Sequence, residues 1–67
     1  MSKELVLKSD SPPLREEDLR GVTEVVISDG HGNALEQNLR FANACGVTIR
    51  AETLEAQRFA SVVFSGA

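Results

Sequence analysis

The residues best suited to chemistry lie together at positions 28–33, which read Ser-Asp-Gly-His-Gly-Asn. His31 is the side chain that titrates near neutrality without perturbation, so it could accept phosphate, bind a metal ion or sense pH. Asp29 could ligate a cation, although turn geometry alone also favours aspartate before glycine. Gly30 and Gly32 could leave backbone N–H groups free to hold a phosphate at a helix N-terminus. We expect Asp29 to shape the turn and His31 to be a solvated loop residue.

The signals for catalysis and for cofactor binding are weak. No lysine follows in the first turn of the next predicted helix, and the glycine spacing fits neither the Walker nor the dinucleotide fingerprint. Cys45 is the single cysteine, and we expect it to be a small buried residue at a helix end. One cysteine and one histidine do not make a zinc site of Cys/His type. Because no acid–base pair or nucleophile constellation can be assembled from the spacing, we expect no enzyme activity, no metal and no cofactor.

The length of 67 residues predicts one small domain spanning residues 1–67. A chain of this size buries only roughly 60% of its unfolded surface, and a lone cysteine excludes an internal disulfide, so oligomerisation or docking is the expected support. The net charge of -3, with no tryptophan or tyrosine, argues against nucleic-acid binding. No apolar run approaches the ~18 residues of a membrane helix, and the first residues lack an apolar signal region. We therefore expect no membrane association, and because one free cysteine fits a reducing compartment we expect a cytoplasmic location.

Three short strands are predicted at residues 4–7, 22–27 and 47–50, because these runs are apolar and rich in β-branched residues. A helical pattern follows each of them, and short connections between alternating elements favour a parallel sheet with right-handed crossovers. We therefore predict an α/β fold, a small three-layer-type β-α-β-α-β-α unit. Residues 28–33 would lie at the carboxyl end of a strand, where such sheets bind ligands.

Capping residues indicate where the helices begin and end. Ser11 fits the start of a short first helix. Asn33 is the expected N-cap of a helix over residues 34–45, with Glu36 placed as in a capping box. Thr53 can cap the last helix. Glycines are expected past the three helix ends, at Gly21, Gly46 and Gly66. The apolar positions at helical spacing are Leu14, Leu19, Leu35, Leu39, Ala42, Ala56, Phe59, Ala60 and Val63.

A competing interpretation is a right-handed β-solenoid. From residue 39 onward, apolar side chains recur every five residues, as in pentapeptide repeats. Residues 47–53 and 62–67 also resemble an early coil of β-helical polysaccharide lyases. However, one to three coils without caps would leave little core, and the period breaks at Glu24 and Asp29. The α/β fold is therefore preferred.

The segment from about Val22 to Ala67 resembles the STAS domains of anti-sigma-factor antagonists and related signalling proteins. The resemblance lies in an apolar strand ending in Ser-Asp-Gly-His-Gly, a helix ending in glycine, the strand Val-Thr-Ile, and a final helix closing on Ser-Gly-Ala. The signature loop of the family reads Asp-Ser-Ser-Gly, and its second serine is phosphorylated. Asp29 and Gly32 match this loop, whereas His31 stands in place of the phosphorylated serine. The resemblance therefore implies protein docking more than a serine phospho-switch.

These observations together predict a noncatalytic regulatory protein-interaction module, STAS-like, whose partner is another protein, either a second copy or a different chain. The docking surface would be the loop over residues 28–33 with the exposed face of helix 34–45. Two alternatives stay open, a small phosphate- or ligand-binding domain that uses the same loop and a β-helical fragment of a carbohydrate-active protein. The residues expected at the docking surface are Asp29, His31, Asn33, Asn38 and Arg40.

Overall fold

The computed structural model describes residues 3–65, in which three strands form one open parallel sheet. The strands are β1 (Glu4–Leu7), β2 (Glu24–Ile27) and β3 (Thr48–Ala51), in the order β1-β2-β3. The predicted α/β fold with a short parallel sheet is thereby confirmed. The solenoid alternative is wrong, because the chain forms neither a coil nor a closed sheet, and the interpretation as a β-helical fragment goes with it.

Two α-helices follow the second and third strands, α1 (Asn33–Ala44) and α2 (Leu54–Ser65). The side chain of Thr53 caps α2 as expected, because its Oγ1 accepts a hydrogen bond from the Ala56 N–H at 3.1 Å. Gly46, with φ of +81°, takes the left-handed conformation just past α1 that its position predicts. The glycine expected at position 66 lies outside the described residues.

The expected N-cap of α1 is wrong by one position. Gly32 is the N-cap, with φ of 92° and no side-chain cap, and Asn33 is the first helical residue. The backbone carbonyl of Gly32 already accepts the Glu36 N–H at 3.3 Å. The helix begins one residue early because glycine makes the turn into it, in a region that other residues rarely adopt. No capping box with Glu36 forms here.

The first predicted helix is wrong in most of its length. Only residues Glu16–Leu19 are helical, as a short 3₁₀ turn. The Ser11 hydroxyl does not cap this turn but accepts the Lys8 N–H at 2.9 Å, which closes a bend just after β1. The next residues are held from outside, since the buried amide of Asn38 bonds the backbone of residues 12 and 14. The Pro12 carbonyl, which in a helix would accept the Glu16 N–H, is therefore bonded to Asn38 instead.

Both helices pack on one face of the sheet. Alternate strand residues, such as Val25 and Ile27 of β2, point into a core that both helices share. The described residues therefore form two layers rather than three. Since the three strands follow one another in order, crossovers of one hand deliver the connections after β1 and β2 to the same side, and α2, which follows the last strand, packs beside α1. The buried members of this core are Leu7, Leu19, Val22, Val25, Ile27, Leu35, Leu39, Ala42, Val47 and Ala56.

The other face of the sheet carries a network of ion pairs that share Arg50. Arg50 of β3 lies 3.0 Å from Glu24, 3.5 Å from Glu4 and 3.6 Å from Glu52. Because Glu4 is on β1, the arginine side chain passes over the central strand. Val26 lies between Val6 and Arg50 in the register and is only 2% exposed. The hydrogen bond from Arg50 to Glu24 and the negative charge around Arg50 raise the pKa of the guanidinium.

Candidate functional site

The loop after β2 is held against the first turn of α2. The Gly30 N–H donates a 3.0 Å hydrogen bond to Glu55 Oε2, and Nδ1 of His31 lies 3.2 Å from the same oxygen. Thr53 adds a third link, because its hydroxyl donates to the Ser28 carbonyl at 2.7 Å. The carboxyl end of β2 is therefore tied to the start of α2 by three polar contacts.

Gly30 is required by this close approach. A Cβ added at this position would lie 2.5 Å from the Cβ of Phe59 and 2.7 Å from the backbone oxygen of Glu55. Real side chains do not tolerate such distances to backbone, so any other residue would push the loop away from α2. The glycine that the sequence suggested for phosphate binding is used instead for packing.

Glu55 gives the loop a local negative charge. Its pKa is lowered, first by the Gly30 hydrogen bond and then by His31. The side chain is 57% exposed, so solvent screens much of this effect. The carboxylate already occupies the position at which a phosphate would meet the Gly30 N–H, and it would repel an incoming anion. The geometry therefore argues against a phosphate site in this loop.

Asp29 joins the ends of two strands. Its Oδ2 accepts the Ser9 N–H at 3.3 Å, which links the segment after β1 to the segment after β2. Asp29 Oδ1 and the Ser9 hydroxyl are buried at the same junction without a hydrogen-bond partner in residues 3–65. Asp29 thus shapes the loop by tying it to the neighbouring strand end, not by bonding within its own turn.

The other expected contact residues are dispersed. Asn38 was expected on the exposed face of α1, and this placement is wrong, since the residue is 3% exposed. Its Oδ1 accepts the Leu14 N–H at 2.9 Å and its Nδ2 donates to the Pro12 carbonyl at 3.0 Å. Arg40 is exposed but bonds Glu36 one turn earlier, at 3.2 Å. Neither is brought to the loop of residues 28–33.

A surface that the sequence analysis did not single out lies beside the loop. We call it the α2 groove, a shallow depression of about 440 Å³ between the loop and α2. Leu54 and Val62, eight residues apart on α2, are 62% and 71% exposed. Phe59 lies between them and is half-buried against the core. The lining residues are Gly30, Leu54, Glu55, Arg58, Phe59 and Val62.

The α2 groove corresponds to a pattern in the sequence of α2. The core-facing stripe of α2 contains Ala56, Phe59, Ala60 and Val63. Leu54, Val62 and Phe64 do not belong to that stripe, so α2 has three large apolar residues outside its buried face, of which Leu54 and Val62 line the groove. Large apolar residues that lie outside the buried face of a helix are the signal that would have located the groove.

A second depression lies near the opposite end of the sheet and includes Cys45. It measures about 570 Å³ and has Leu19, Val22 and Val47 among its lining residues. Cys45 was expected to be buried, and this is wrong, because it is exposed. As the C-cap of α1 it lies beyond Ala42, the last buried residue of that helix.

Within residues 3–65, no three histidine, cysteine or acidic side chains come together as metal ligands, and no helix has the length and apolar character needed to cross a membrane. The chain matches no protein-family model, and comparisons with curated proteins and with solved structures also find no match.

Proposed function

We propose that this chain is a noncatalytic protein-interaction module that receives its partner in the α2 groove. The observation that carries the proposal is the exposure of Leu54 and Val62 on either side of the half-buried Phe59. Large apolar side chains that are exposed together mark interaction surfaces, and protein interfaces combine an apolar centre with a polar rim. The proposal moves the docking surface from the outer face of α1 to α2.

The loop of residues 28–33 supplies part of the rim. The His31 side chain is 69% exposed, yet its position is defined by Glu55, which also anchors the Gly30 backbone. Arg58 lines the same groove on the next turn of α2. Polar groups that are already ordered lose less conformational freedom when a partner binds, and arginine is common among residues that contribute most to binding. His31 keeps the partner-contacting role that the sequence suggested.

The regulatory part of the proposal depends on the sequence resemblance. The segment from about Val22 to Ala67 resembles STAS domains, and the resemblance implies docking to another protein. His31 stands where that family carries its phosphorylated serine, so serine phosphorylation at this position would not control docking. A cytoplasmic location belongs to the same proposal.

Site-specific photocrosslinking tests the proposal directly. A photoreactive amino acid replaces Leu54 or Val62, and in the control it replaces Gln37, which is exposed on α1. After irradiation of cells that express the full chain, we expect protein adducts from positions 54 and 62 and none from position 37. The proposal is wrong if the groove positions give no adducts, or if position 37 gives the same adducts with the same yield.

A further inference from the structure

We infer that the occupant of the α2 groove is a second copy of this chain, with the two α2 helices packed antiparallel about a two-fold axis. This inference rests on the proposed function, because it names the partner for the same groove. Two-fold dimers are the commonest oligomers, and they require a surface that is complementary to itself. The α2 surface has this property in both its apolar and its charged residues.

The apolar residues are spaced for an antiparallel pair. Leu54 and Val62 are separated by two helical turns, or about 12 Å along the axis. If the two-fold axis passes close to Arg58, Leu54 of each copy lies opposite Val62 of the other. Each contact then occurs twice, and the Phe59 rings lie between the two contacts. The exposed apolar side chains of both grooves are covered by one arrangement.

The charged residues are self-complementary in the same arrangement. Glu55 and Arg58 are one turn apart on α2 and both line the groove. In the antiparallel pair, Arg58 of each copy lies about one turn from Glu55 of the other, within reach of its long side chain. Glu55 uses Oε2 for the loop, so Oε1 is available. The two Glu55 carboxylates also offset the repulsion between the two Arg58 side chains near the axis.

The area that the α2 groove can bury determines how tightly we expect the dimer to bind. A stable interface buries about 800 Å² on each partner, which would be roughly a fifth of the 4402 Å² exposed by this chain. One face of a twelve-residue helix and the adjacent loop offer less than this area. We therefore expect a reversible dimer with a dissociation constant in the micromolar range, typical of small interfaces.

Sedimentation equilibrium of the purified full chain over a wide concentration range measures this constant. Val62→Glu should raise the dissociation constant by about tenfold or more, because it places a charge in both of the apolar contacts between Leu54 and Val62. Gln37→Glu is the matched control, since it adds the same charge to an exposed helical position and should change nothing. Circular dichroism and urea titration of each variant establish that both remain folded.

A charge exchange provides a test that a purely structural effect would not mimic. Arg58→Glu and Glu55→Lys should each weaken self-association, because each gives the groove charges of one sign. An equimolar mixture of the two variants should form a heterodimer, since the two positive side chains in the groove of one chain then face two glutamates of the other. A mixture that stays monomeric contradicts the inference.

The outcomes separate this inference from the proposed function. A chain that remains monomeric at all concentrations, while positions 54 and 62 crosslink to a different protein, overturns the inference and leaves the proposed function intact. A monomeric chain without groove crosslinks overturns both. A dimer that Val62→Glu does not weaken places self-association elsewhere, and the inference is then wrong.

Discussion

The two faces of the sheet are shielded from solvent in different ways, although alternate residues of the same strands form them. On the covered face, Leu7 and Ile27 lie under the helices and are at most 2% exposed. On the open face, no element in residues 3–65 packs over the strands, yet Val26 is also only 2% exposed. The difference is that the open face carries the ion pairs of Arg50, whose side chain reaches across β2 to Glu4, where the covered face carries helices.

This difference indicates which face of the sheet contributes most to the stability of the fold. Parallel sheets are usually apolar on both faces because helices cover both. Here the ion pairs around Arg50 are exposed, with 45% of its side chain accessible, and exposed pairs contribute little to stability. The covered face should therefore carry most of the folding free energy, whereas the open face presents the charged side chains of Arg50 and its glutamate partners to solvent.

The largest expected effect comes from the covered face. Ile27→Ala should lower the free energy of unfolding by about 2–5 kcal/mol, because it removes buried methyl groups and leaves a cavity. Val6→Ala, at a 55% exposed position of the open face, is the matched control and should cost far less. Urea denaturation measures both.

Ile27→Val keeps the first test informative if the alanine variant does not fold, with an expected loss of about 1 kcal/mol. Equal losses for Ile27→Ala and Val6→Ala would contradict the division of stability between the faces.

The next test concerns the one buried polar side chain of the covered layer in residues 3–65. Asn38→Ala should cost about 1–3 kcal/mol, because it leaves the Leu14 N–H and the Pro12 carbonyl without partners. Asn38→Asp should be at least as damaging, since a carboxylate oxygen would face the Pro12 carbonyl. If urea denaturation shows no loss for either variant, Asn38 does not hold residues 12–14.

Much of the fold could be predicted because it depends on local patterns. β1 agrees to the residue, β2 is two residues shorter than expected and β3 is displaced by one. The absence of most of the first helix could not be predicted from local signals. The residues before Glu16 are held by Asn38, which is 24 positions from Leu14 in sequence. Likewise, α1 and the segment before β2 cover the same face of the sheet because of the order of the strands, and no single segment encodes that order.

The candidate site was less predictable for the same reason. His31 and the glycines were identified from their types, but their contacts depend on Glu55, 24 residues beyond His31. Asn38 was expected on the exposed face of helix 34–45, but it is buried because its amide finds partners in another segment, which its own helix does not reveal. Only the excess apolar residues of α2 were present in the sequence as a pattern.

A comparable loss is expected where the covering layer meets the loop. Gly30→Ala should cost about 1–3 kcal/mol, because its Cβ would overlap Phe59 and the backbone of Glu55. Gly46→Ala has open space around it, and its expected cost of about 1 kcal/mol is conformational only. The NMR chemical shifts of residues 28–33 should change in the Gly30 variant and stay unchanged in the Gly46 variant. Unchanged loop signals in both would mean that the loop does not depend on this contact.

A smaller effect is expected from pH at the same junction. The pKa of Glu55 is lowered in the folded chain, so its contribution is present above the ordinary value of 4.5 and is lost as the pH falls below it. As the pH falls, the free energy of unfolding of the native chain should therefore decrease by a small amount that is absent in Glu55→Gln. Urea denaturation at a series of pH values measures this difference. Identical pH profiles for the two chains would show that the Glu55 contact adds nothing to stability.

The smallest effect separates packing from charge on the open face. Arg50→Met keeps a long apolar stem over Val26 but removes the ion pairs, whereas Arg50→Ala removes both. If the stem closes this face, the methionine variant should stay close to the native chain in stability and the alanine variant should fall below it. If charge dominates, both should fall together, and salt should weaken only the native chain because it screens exposed pairs. Urea denaturation at low and high salt distinguishes the two cases, since a stem that covers Val26 acts equally at either salt concentration.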